Sequence, residues 1–436
     1  MEMDLMLPKG TRDFLPEEKI LREWIVGKLK EVFELYGYVP IETPAFERFE
    51  VLASKYAGGE EILKETFRFK DQGERELGLK YDLTVPFARV IGMNPNLKLP
   101  FKRYQIERVW RDGPTTTARY REFLQCDVDV VGAYSMIADA EILKIASEVF
   151  ERLELEYEIK VNNRKLLNGI MKDLGLREEY WGTVLLSMDK IEKIGREEVE
   201  KELEEKGLNE EGIKELFEFA LIEGKSNEEI LEKVKKKIKS EEGKEGIKEL
   251  EELIKYCDGF KVKNLYITPS LARGLSYYTG PVFEVLLKKG KVKSSVAGGG
   301  RFDEMVGAML GKGRELPATG ISFGMDRIFD ALIEKGIEMK KSLAQVYVIP
   351  INTLNESIEL IEKMRALGVK ADIDLMNRSI SKNLDYANKL DIPFVIVLGE
   401  NELKKKEFNL KDMKSGKEIK INLSELNKLK GILESN

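Results

Sequence analysis

Two strand-like segments within residues 101–131 constrain the fold more than any other part of the chain. Phe101–Trp110 and Arg119–Val131 alternate apolar with polar side chains, a pattern typical of β-strands. Between them, Asp112–Ala118 is a polar stretch containing a glycine and a proline, residue types that interrupt regular structure. The sequence therefore predicts two adjacent strands joined by a long loop, and the fold has to contain a sheet that includes them.

The segments on either side of this pair divide the chain into parts of different character. Residues 16–36, 138–153 and 325–335 carry apolar side chains near helical spacing, which predicts helices. Residues 165–257 are rich in Glu, Lys, Leu and Ile and give almost no strand signal, so we expect a mostly helical insertion there. The predicted parts are residues 1–164, the helical insertion 165–257, residues 258–340 and residues 344–436.

The last part has its own order of elements. Gln345–Ile351, Val369–Ile373 and Pro393–Leu398 read as strands, and residues 355–367 and 379–390 between them read as helices. Strands that alternate with helices are typical of a parallel or mixed sheet. We therefore predict a small α/β domain at this end of the chain.

The 436-residue chain contains no histidine, and this excludes whole classes of chemistry. A Ser-His-Asp triad, a Cys-His dyad and a His-ligated zinc site all need an imidazole. The only cysteines, Cys126 and Cys257, are far apart, which is typical neither of a disulfide framework nor of a zinc site. They suit a reducing cytoplasm, and we see neither a signal peptide nor an apolar run of the ~20 residues that a membrane span needs.

Charged residues make up 34% of the chain, above the usual ~25%. Lys and Glu make up most of this excess, and a bias toward these residues is typical of a hyperthermophile and equally of an AT-rich genome. The formal net charge of −6 argues against a nucleic-acid partner, but from Lys98 to Arg121 there are seven basic and two acidic residues. Local patches decide binding, so this segment favours a polyanionic ligand.

Arginine side chains cluster along the two predicted strands and recur later in the chain. A guanidinium group matches phosphate oxygens with two parallel hydrogen bonds, whereas an isolated surface arginine more often forms a weak ion pair. Three glycines, Gly298–Gly300, could let the backbone approach a ligand closely, although they form neither a G-x-G-x-x-G nor a Walker motif. The candidate phosphate-binding set is Arg103, Arg108, Arg111, Arg119, Arg121, Arg273, Arg301 and Arg327.

Separated segments of the chain resemble the class II aminoacyl-tRNA synthetases, and two of them resemble the signature peptides of the histidyl-tRNA synthetase family. Residues 101–111 with 119–125 resemble motif 2, residues 318–327 resemble motif 3, and Pro44 fits motif 1. Leu271–Gly280 and Ala297–Asp303 resemble the two histidine-specific peptides. The resemblance covers nearly the whole chain, beginning at residues 9–13.

This resemblance implies an α+β fold with an antiparallel sheet flanked by helices, a helical insertion, and an α/β anticodon-binding domain at residues 344–436. In the same terms, residues 1–164 and 258–340 form the two parts of the catalytic domain. The implied activity is the ligation of L-histidine to histidine tRNA through histidyl-adenylate, with ATP and Mg²⁺. The resemblance also implies a homodimer, with motif 1 at the subunit interface, and no membrane association.

The resemblance assigns roles to particular residues of this chain. Arg111 and Arg273 hold the substrate carboxylate and the α-phosphate and are the implied catalytic residues. The implied contacts to the α-amino group are Asp82, Thr84 and Gln125, and those to the imidazole are Asp129, Tyr278 and Tyr277. For ATP, Arg119 and Arg327 would contact the γ-phosphate and Phe123 would stack on adenine. A carboxylate and a hydroxyl that read the two ring nitrogens would strongly reject analogues lacking those nitrogens.

Four positions depart from common patterns of the family. Arg111-Asp-Gly113 stands where motif 2 usually reads Arg-x-Glu, and Ser276 stands where Asp is commoner. Asp82 and Asp129 stand where the bacterial pattern has Glu, which is closer to the archaeal and eukaryotic pattern. These departures concern loop contacts, support for Arg273 and the contacts to histidine.

Two other functions share the same sequence features. A regulatory paralogue, the synthetase-like subunit of ATP phosphoribosyltransferase, binds ligands without ligating them, but such paralogues lack the C-terminal domain expected at residues 344–436. A tRNA-sensing module of a stress kinase is a weaker alternative, because no kinase segment is recognised in the chain.

The absence of a protein imidazole also leads to a prediction about pH dependence. We expect the loss of activation rate at acidic pH, the acidic limb of the pH profile, to follow the substrate's own imidazole, with Cys126 or a perturbed Asp129 as alternatives.

Overall fold

A computed structural model describes residues 5–54, 63–115, 120–188, 195–205, 208–272, 277–310 and 316–434. By its internal contacts the chain separates into two compact units. The first unit comprises Met1–Arg12 and Ile25–Ile337, and the second comprises Asp13–Trp24 and Glu338–Asn436. No helix in the described ranges combines the length and the apolar character that crossing a membrane requires.

Strands and helices are numbered here along the described chain. The strands are β1 (Val39–Pro40), β2 (Phe46–Arg48), β3 (Arg68–Lys70), β4 (Glu76–Leu79), β5 (Phe101–Trp110), β6 (Glu122–Val131), β7 (Tyr157–Asn163), β8 (Leu265–Ile267), β9 (Pro281–Leu287), β10 (Ala297–Arg301), β11 (Ala318–Gly324), β12 (Val346–Ile351), β13 (Ala371–Ile373), β14 (Phe394–Gly399), β15 (Glu407–Asp412) and β16 (Glu418–Asn422). The helices are α1 (Pro16–Leu35), α2 (Phe49–Leu52), α3 (Thr84–Met93), α4 (Ile137–Arg152), α5 (Arg164–Asp173), α6 (Glu178–Met188), α7 (Arg196–Glu205), α8 (Glu210–Ala220), α9 (Asn227–Lys235), α10 (Glu241–Gly259), α11 (Asp303–Leu310), α12 (Met325–Lys335), α13 (Leu354–Ala366), α14 (Ile380–Lys389), α15 (Glu400–Lys405) and α16 (Asn427–Glu434).

The two strands predicted within residues 101–131 are β5 and β6, at the heart of the first unit. They pair antiparallel from Phe101 opposite Val131 to Trp110 opposite Glu122. Strand β6 begins at Glu122, and Arg119, where the prediction began it, lies outside the described residues. The prediction of two adjacent strands joined by a loop is confirmed.

The large sheet has eight strands in the order β1-β5-β6-β11-β10-β9-β7-β8, and it is mixed rather than purely antiparallel. The outermost pairs, β1 with β5 and β7 with β8, run parallel. Parallel neighbours need a long crossover connection, and between β7 and β8 the helices α5–α10 supply it. The segment read as a helical insertion therefore connects two parallel strands of the sheet. Strand β7 itself was missed in the sequence.

The glycine-rich segment Ala297–Arg301 forms strand β10, paired on both sides with β9 and β11. The sequence had indicated only a glycine cluster, because glycine has a low preference for strands. The reason for the glycines lies in the neighbouring strand: a Cβ added at Gly299 would overlap the backbone carbonyl oxygen of Gly320. Close approach of two backbones thus requires glycine at this position.

The second unit contains a five-stranded sheet in the order β13-β12-β14-β15-β16. Its first three strands are parallel and its last two antiparallel, so the expected mixed α/β sheet is confirmed. The hairpin β15–β16 was not predicted. Apolar residues of the parallel strands, including Val348 and Ile396, form the buried core with Phe408 and Leu410 of the hairpin.

Candidate active site

One pocket of about 670 Å³ lies in the first unit against strands β6, β10 and β11. It brings together nine of the side chains proposed from the sequence, although they come from four separate segments. These nine are Asp82, Thr84, Arg111, Phe123, Gln125, Asp129, Tyr277, Tyr278 and Arg327. The other two proposed residues, Arg119 and Arg273, lie outside the described residues.

Strand β6 contributes alternate polar side chains to the pocket. Gln125, Asp127 and Asp129 line it, while Cys126 and Val128 are buried on the opposite face because side chains alternate along a strand. Asp127 was missed in the sequence. The signal that could have identified it is the period-two spacing of Gln125, Asp127 and Asp129 in the otherwise apolar last seven residues of the strand. Cys126, considered as a titrating group, faces away from the pocket.

Asp129 is buried and lies 2.7 Å from a guanidinium nitrogen of Arg103, which is itself fully buried. The same guanidinium group lies over the ring of Phe87, 4.3 Å from its centroid. Burial raises the pKa of Asp129, while Arg103 acts to lower it and Asp127 to raise it. Gly320 leaves the space for this carboxylate, because a Cβ there would overlap Asp129.

Asp82 stands just before helix α3, where Thr84 begins the helix. Its Oδ1 accepts a hydrogen bond of 3.1 Å from the backbone N–H of Val85, in the manner of a helix cap. Burial raises the pKa of Asp82 to about 6, partly offset by this hydrogen bond and by Arg111, with Asp127 raising it further. The pocket therefore contains carboxyl groups that titrate nearer to neutrality than exposed ones.

Arg111, at the end of β5, is oriented by its surroundings. Its Nε donates to the backbone oxygen of Tyr81 at 3.1 Å, and its guanidinium carbon lies 5.1 Å from the ring centroid of Phe123. Its backbone N–H donates to the carbonyl of Arg121, which continues the β5–β6 pairing toward the loop. A guanidinium fixed in this way is already oriented for an anion.

Tyr277 and Tyr278 also line the pocket, and the centroids of their adjacent rings lie 4.7 Å apart. Tyr278 is buried against Leu271 and Val282. Gly300 approaches the Tyr278 ring so closely that a Cβ added there would lie 2.8 Å from Cδ1. The glycine-rich peptide Ala297–Asp303 thus packs against a tyrosine of the other signature peptide, Leu271–Gly280.

The N-terminal segment meets the start of helix α12 beside the pocket. Arg12 lies 2.9 Å from Asp326, and its guanidinium group lies over the ring of Tyr120 at 4.4 Å. The neighbouring Arg327 donates to the carbonyl oxygen of Ser295. Arg12, which belongs to the segment that carried part of the family resemblance, therefore contacts motif 3 at Asp326.

The arginine set proposed for phosphate binding does not act as one group. Arg301 is buried in an ion pair with Asp139, and Arg103 is committed to Asp129. Arg108 pairs with Glu122 and Arg121 with Asp112 at 3.1 and 3.2 Å. The prediction is wrong for Arg103 and Arg301, because buried guanidinium groups need carboxylate partners of their own. Arg111 and Arg327 line the pocket.

Comparisons with known proteins agree with this geometry. Residues 10–328 match the family described as "Histidyl-tRNA synthetase". The chain belongs to the histidyl-tRNA synthetase family. Residues 345–430 also match the family described as "Anticodon binding domain".

Curated relatives match along almost their whole length. The chain is 43% identical to a histidine–tRNA ligase 1 of Bacillus cereus, over 97% of this chain and 99% of that protein. It is 37% identical to histidine–tRNA ligase of Clostridium tetani, over 98% of this chain and 99% of that one. Both relatives are bacterial, so the archaeal and eukaryotic likeness at Asp82 and Asp129 stays a prediction about two positions.

Solved structures share the fold. Histidyl-tRNA synthetase from Nostoc sp. PCC 7120 aligns with a TM-score of 0.88 at 32% identity, covering 99% of this chain and 100% of that one. An ATP phosphoribosyltransferase regulatory subunit/histidyl-tRNA synthetase from Bacillus halodurans aligns with a TM-score of 0.76 at 22% identity, over 92% of this chain and 99% of that one. The second likeness shows the fold alone.

Proposed function

We propose that this chain ligates L-histidine to histidine tRNA in two steps. Histidine and ATP first form histidyl-adenylate and pyrophosphate, and the histidyl group then passes to the terminal adenosine of the tRNA with release of AMP. The observation that carries this proposal is one pocket lined by nine of the proposed contact residues, in a chain of this family.

The activation step suits a protein without imidazole groups. The carboxylate of histidine is ionised at neutral pH, so it attacks the α-phosphate without a general base. Catalysis is then a matter of positioning the reactants and stabilising the charge on phosphorus oxygens. We assign that work to Arg111, which is held between Tyr81 and Phe123, and to Arg273.

Recognition of histidine is assigned to the opposite end of the pocket. Asp129 accepts from one imidazole N–H, and Tyr278, with Tyr277 beside it, serves the other nitrogen. Asp82, Thr84 and Gln125 contact the α-amino group. The support for these roles is that all of these side chains line one pocket and that the pKa of Asp129 is set by burial and by Arg103.

ATP is assigned to the end of the pocket where Arg327 and Phe123 lie, with Arg119 joining from the loop. Among the described residues, no three acidic or cysteine side chains converge closely enough to hold a metal ion. The described side chains therefore do not form a metal site made of protein ligands alone. We therefore propose that Mg²⁺ enters with ATP as part of the substrate, held by phosphate oxygens, which suits an ion that dehydrates reluctantly.

Histidine-dependent exchange of labelled pyrophosphate into ATP tests the activation step directly. We expect exchange with histidine and none without it. A regulatory paralogue would bind histidine without exchange, and that result would overturn the proposal. The match of residues 345–430 to an anticodon-binding family already favours the ligase, because the paralogues were expected to lack this domain.

Arg273→Ala separates transition-state stabilisation from binding. Loss of one preorganised donor typically lowers the rate about 10²–10³-fold. We expect kcat for exchange to fall by that factor with a smaller change in the KM for histidine. A variant with normal kcat would remove Arg273 from the mechanism.

The anticodon is assigned to the second unit. After β13, Asp374 accepts from the backbone N–H groups of Met376 and Arg378, and this fixes a loop in which Leu375 is 85% and Met376 68% exposed. We place part of the tRNA contact on this loop. Leu375→Ser should raise the KM for tRNA in aminoacylation and leave pyrophosphate exchange unchanged, whereas an unchanged KM for tRNA would exclude the loop.

By resemblance to the family, the helical insertion would clasp the acceptor stem of the tRNA, and the lysines at positions 233–239 are candidates for that contact. Lys233, Lys235 and Lys237 each lie close to a glutamate carboxylate: Glu229 at 2.7 Å, Glu251 at 2.6 Å and Glu218 at 2.8 Å, respectively. These pairs favour the interpretation as an ionic surface, so we assign no tRNA contact to them.

We further propose a homodimer that acts in the cytoplasm. Exposed apolar side chains lie close to Pro44 of motif 1 in the chain or contact those that do: Val39 on the edge strand, Phe46, and Phe69, whose ring centroid lies 6.3 Å from that of Phe46. Exposed apolar side chains that are contiguous can mark an interface with a partner. Sedimentation equilibrium tests the dimer, and a monomer at micromolar concentration would contradict it. Two buried cysteine thiols suit a reducing compartment.

A further inference from the structure

Asp127 has no part in the function proposed above, although it lines the pocket between Gln125 and Asp129. It is 3% exposed, and its partner in the strand pairing is Ser322 of β11. The Ser322 hydroxyl hydrogen-bonds the side chain, but Oδ1 has no hydrogen-bond partner among the described residues. A buried carboxylate oxygen without a donor is unfavourable, so this oxygen is best satisfied by a ligand.

A second acceptor of the same kind lies one strand period away. The Nε2 of Gln125 donates to the Ser322 hydroxyl at 2.9 Å, while its Oε1 is buried without a partner among the described residues. Asp82 faces the same region, since Asp127 and Arg111 are among the charges that act on it. Three acceptors therefore converge from β6 and from the start of α3.

The geometry and charge of this group select the chemistry of its ligand. An ammonium group presents three N–H donors, one for each acceptor, and carries a positive charge. The carboxylates of Asp82, Asp127 and Asp129 outnumber the two guanidinium groups that act on them, those of Arg103 and Arg111. Hydrogen bonds from a charged donor to a carboxylate are about twice as strong as neutral ones.

We propose that Asp127 is a further contact for the α-ammonium group of histidine, beside Asp82 and Gln125, and that it selects substrates with a charged amine at this position. The inference rests on the proposed histidine activation and adds to it a specificity-determining residue. Burial raises the pKa of Asp127, with Arg103 and the Ser322 hydrogen bond acting to lower it, and an ammonium partner would lower it further.

A pair of ligands that differ only in the amine tests this directly. Histidine and 3-(imidazol-4-yl)propionate are titrated calorimetrically into wild-type protein and Asp127→Asn. We expect the variant to bind histidine roughly 10- to 100-fold more weakly, the loss of one charge-assisted hydrogen bond, and to bind the propionate about as well as wild type does. Asp129→Asn is the matched control: it should weaken both ligands by similar factors, because both carry the imidazole.

Three results would overturn the proposal. These are equal weakening of both ligands by Asp127→Asn, unchanged histidine affinity in that variant, and a wild-type protein that binds the two ligands equally. If circular dichroism shows that Asp127→Asn is unfolded, Asp127→Ser is titrated instead, with the same expectations. Wild-type protein that discriminates the ligands but does not exchange pyrophosphate would count against the proposed function alone.

Discussion

The two faces of strand β6 have opposite chemistry although they belong to the same ten residues. One face places Gln125, Asp127 and Asp129 in the pocket, and the other buries Cys126 and Val128 in the core. The neighbouring strand β11 repeats the division, since Ser322 lines the pocket and Phe323 is buried. A step of one residue along the strand thus separates the side chains that line the pocket from those that pack in the core.

Packing of the apolar face stabilises the fold and offsets the free-energy cost of burying charged groups on the polar face. Phe323 packs between Phe33 and Phe150, with ring centroids 5.7 and 6.0 Å away. On the pocket face, buried carboxylates are costly unless paired, and Asp129 has only Arg103 as its close ion-pair partner among the described residues. We infer that core packing keeps the strand in place while the pocket holds several like charges.

Breaking the apolar face should have the largest effect. Phe323→Ala removes a fully buried ring, and substitutions of this kind cost about 3–5 kcal/mol of unfolding free energy. The KM for histidine of the protein that stays folded should be unchanged. Urea unfolding and exchange kinetics check this, with Phe408→Ala in the second unit as the control that leaves exchange intact. A raised KM in Phe323→Ala would show that the two faces are coupled.

Breaking the pocket face should act on ligand affinity first. Asp129→Asn removes the charge that faces Arg103 and one oxygen of the carboxylate proposed to accept from the imidazole. We expect histidine to bind weaker by about 1.5–3 kcal/mol, the range for hydrogen bonds to charged groups, with far less change for ATP. The measurement is the KM for each substrate in pyrophosphate exchange. Equal weakening for both substrates would show that Asp129 does not read the imidazole.

The pH dependence should be a smaller effect. Since the pKa of Asp82 is raised to about 6, its ionised form, which attracts an ammonium group, is lost as the pH falls through that value. The free imidazole of histidine, with a pKa of about 6.5, titrates in the same range. The sequence alone assigned the acidic limb to the substrate's imidazole. Because Asp82 titrates in the same range, we now expect kcat/KM measured with triazolylalanine, whose ring is less basic, to retain part of an acidic limb near pH 6.

The same shift has a consequence for stability. A carboxyl whose pKa is higher in the folded than in the unfolded chain binds its proton more tightly when folded, so Asp82 makes the ligand-free fold less stable as the pH rises from about 4 to 6. Asp82→Asn should remove the contribution of Asp82 to this change and to the limb measured with triazolylalanine. Asp127 and Asp129, whose pKa values burial also raises, should keep their own contributions. A limb that moves completely with the substrate analogue would leave Asp82 without a role in it.

The smallest effect is expected for Cys126→Ala. The thiol is buried on the core face, so its removal should cost only about 1 kcal/mol of unfolding free energy. The acidic limb should stay where it is in wild type. A displaced limb would mean that Cys126 communicates with the pocket across the strand.

The sequence predicted the strands and helices whose formation depends on residues close together in the chain. Strand β5 and helix α12 have the predicted bounds, because alternation and helical spacing are written in neighbouring residues. Strand β10 was not predicted, since its glycines are required by the backbone of β11 and not by any local preference. Asp127 was not predicted, because the family resemblance assigned roles to Gln125 and Asp129 and gave none to the residue between them.

The sequence by itself determined the periodicity of β6, the order of the family motifs and the absence of imidazole groups, all of which depend on residue type and spacing. Only the tertiary structure decided which charged groups remain available to a ligand. Arg301 is paired with Asp139, 162 positions away in the chain, and Arg103 of β5 is paired with Asp129, which lies opposite it on β6. Whether a carboxylate is buried, paired or free to bind depends on neighbours that are remote in the chain, and so does its pKa.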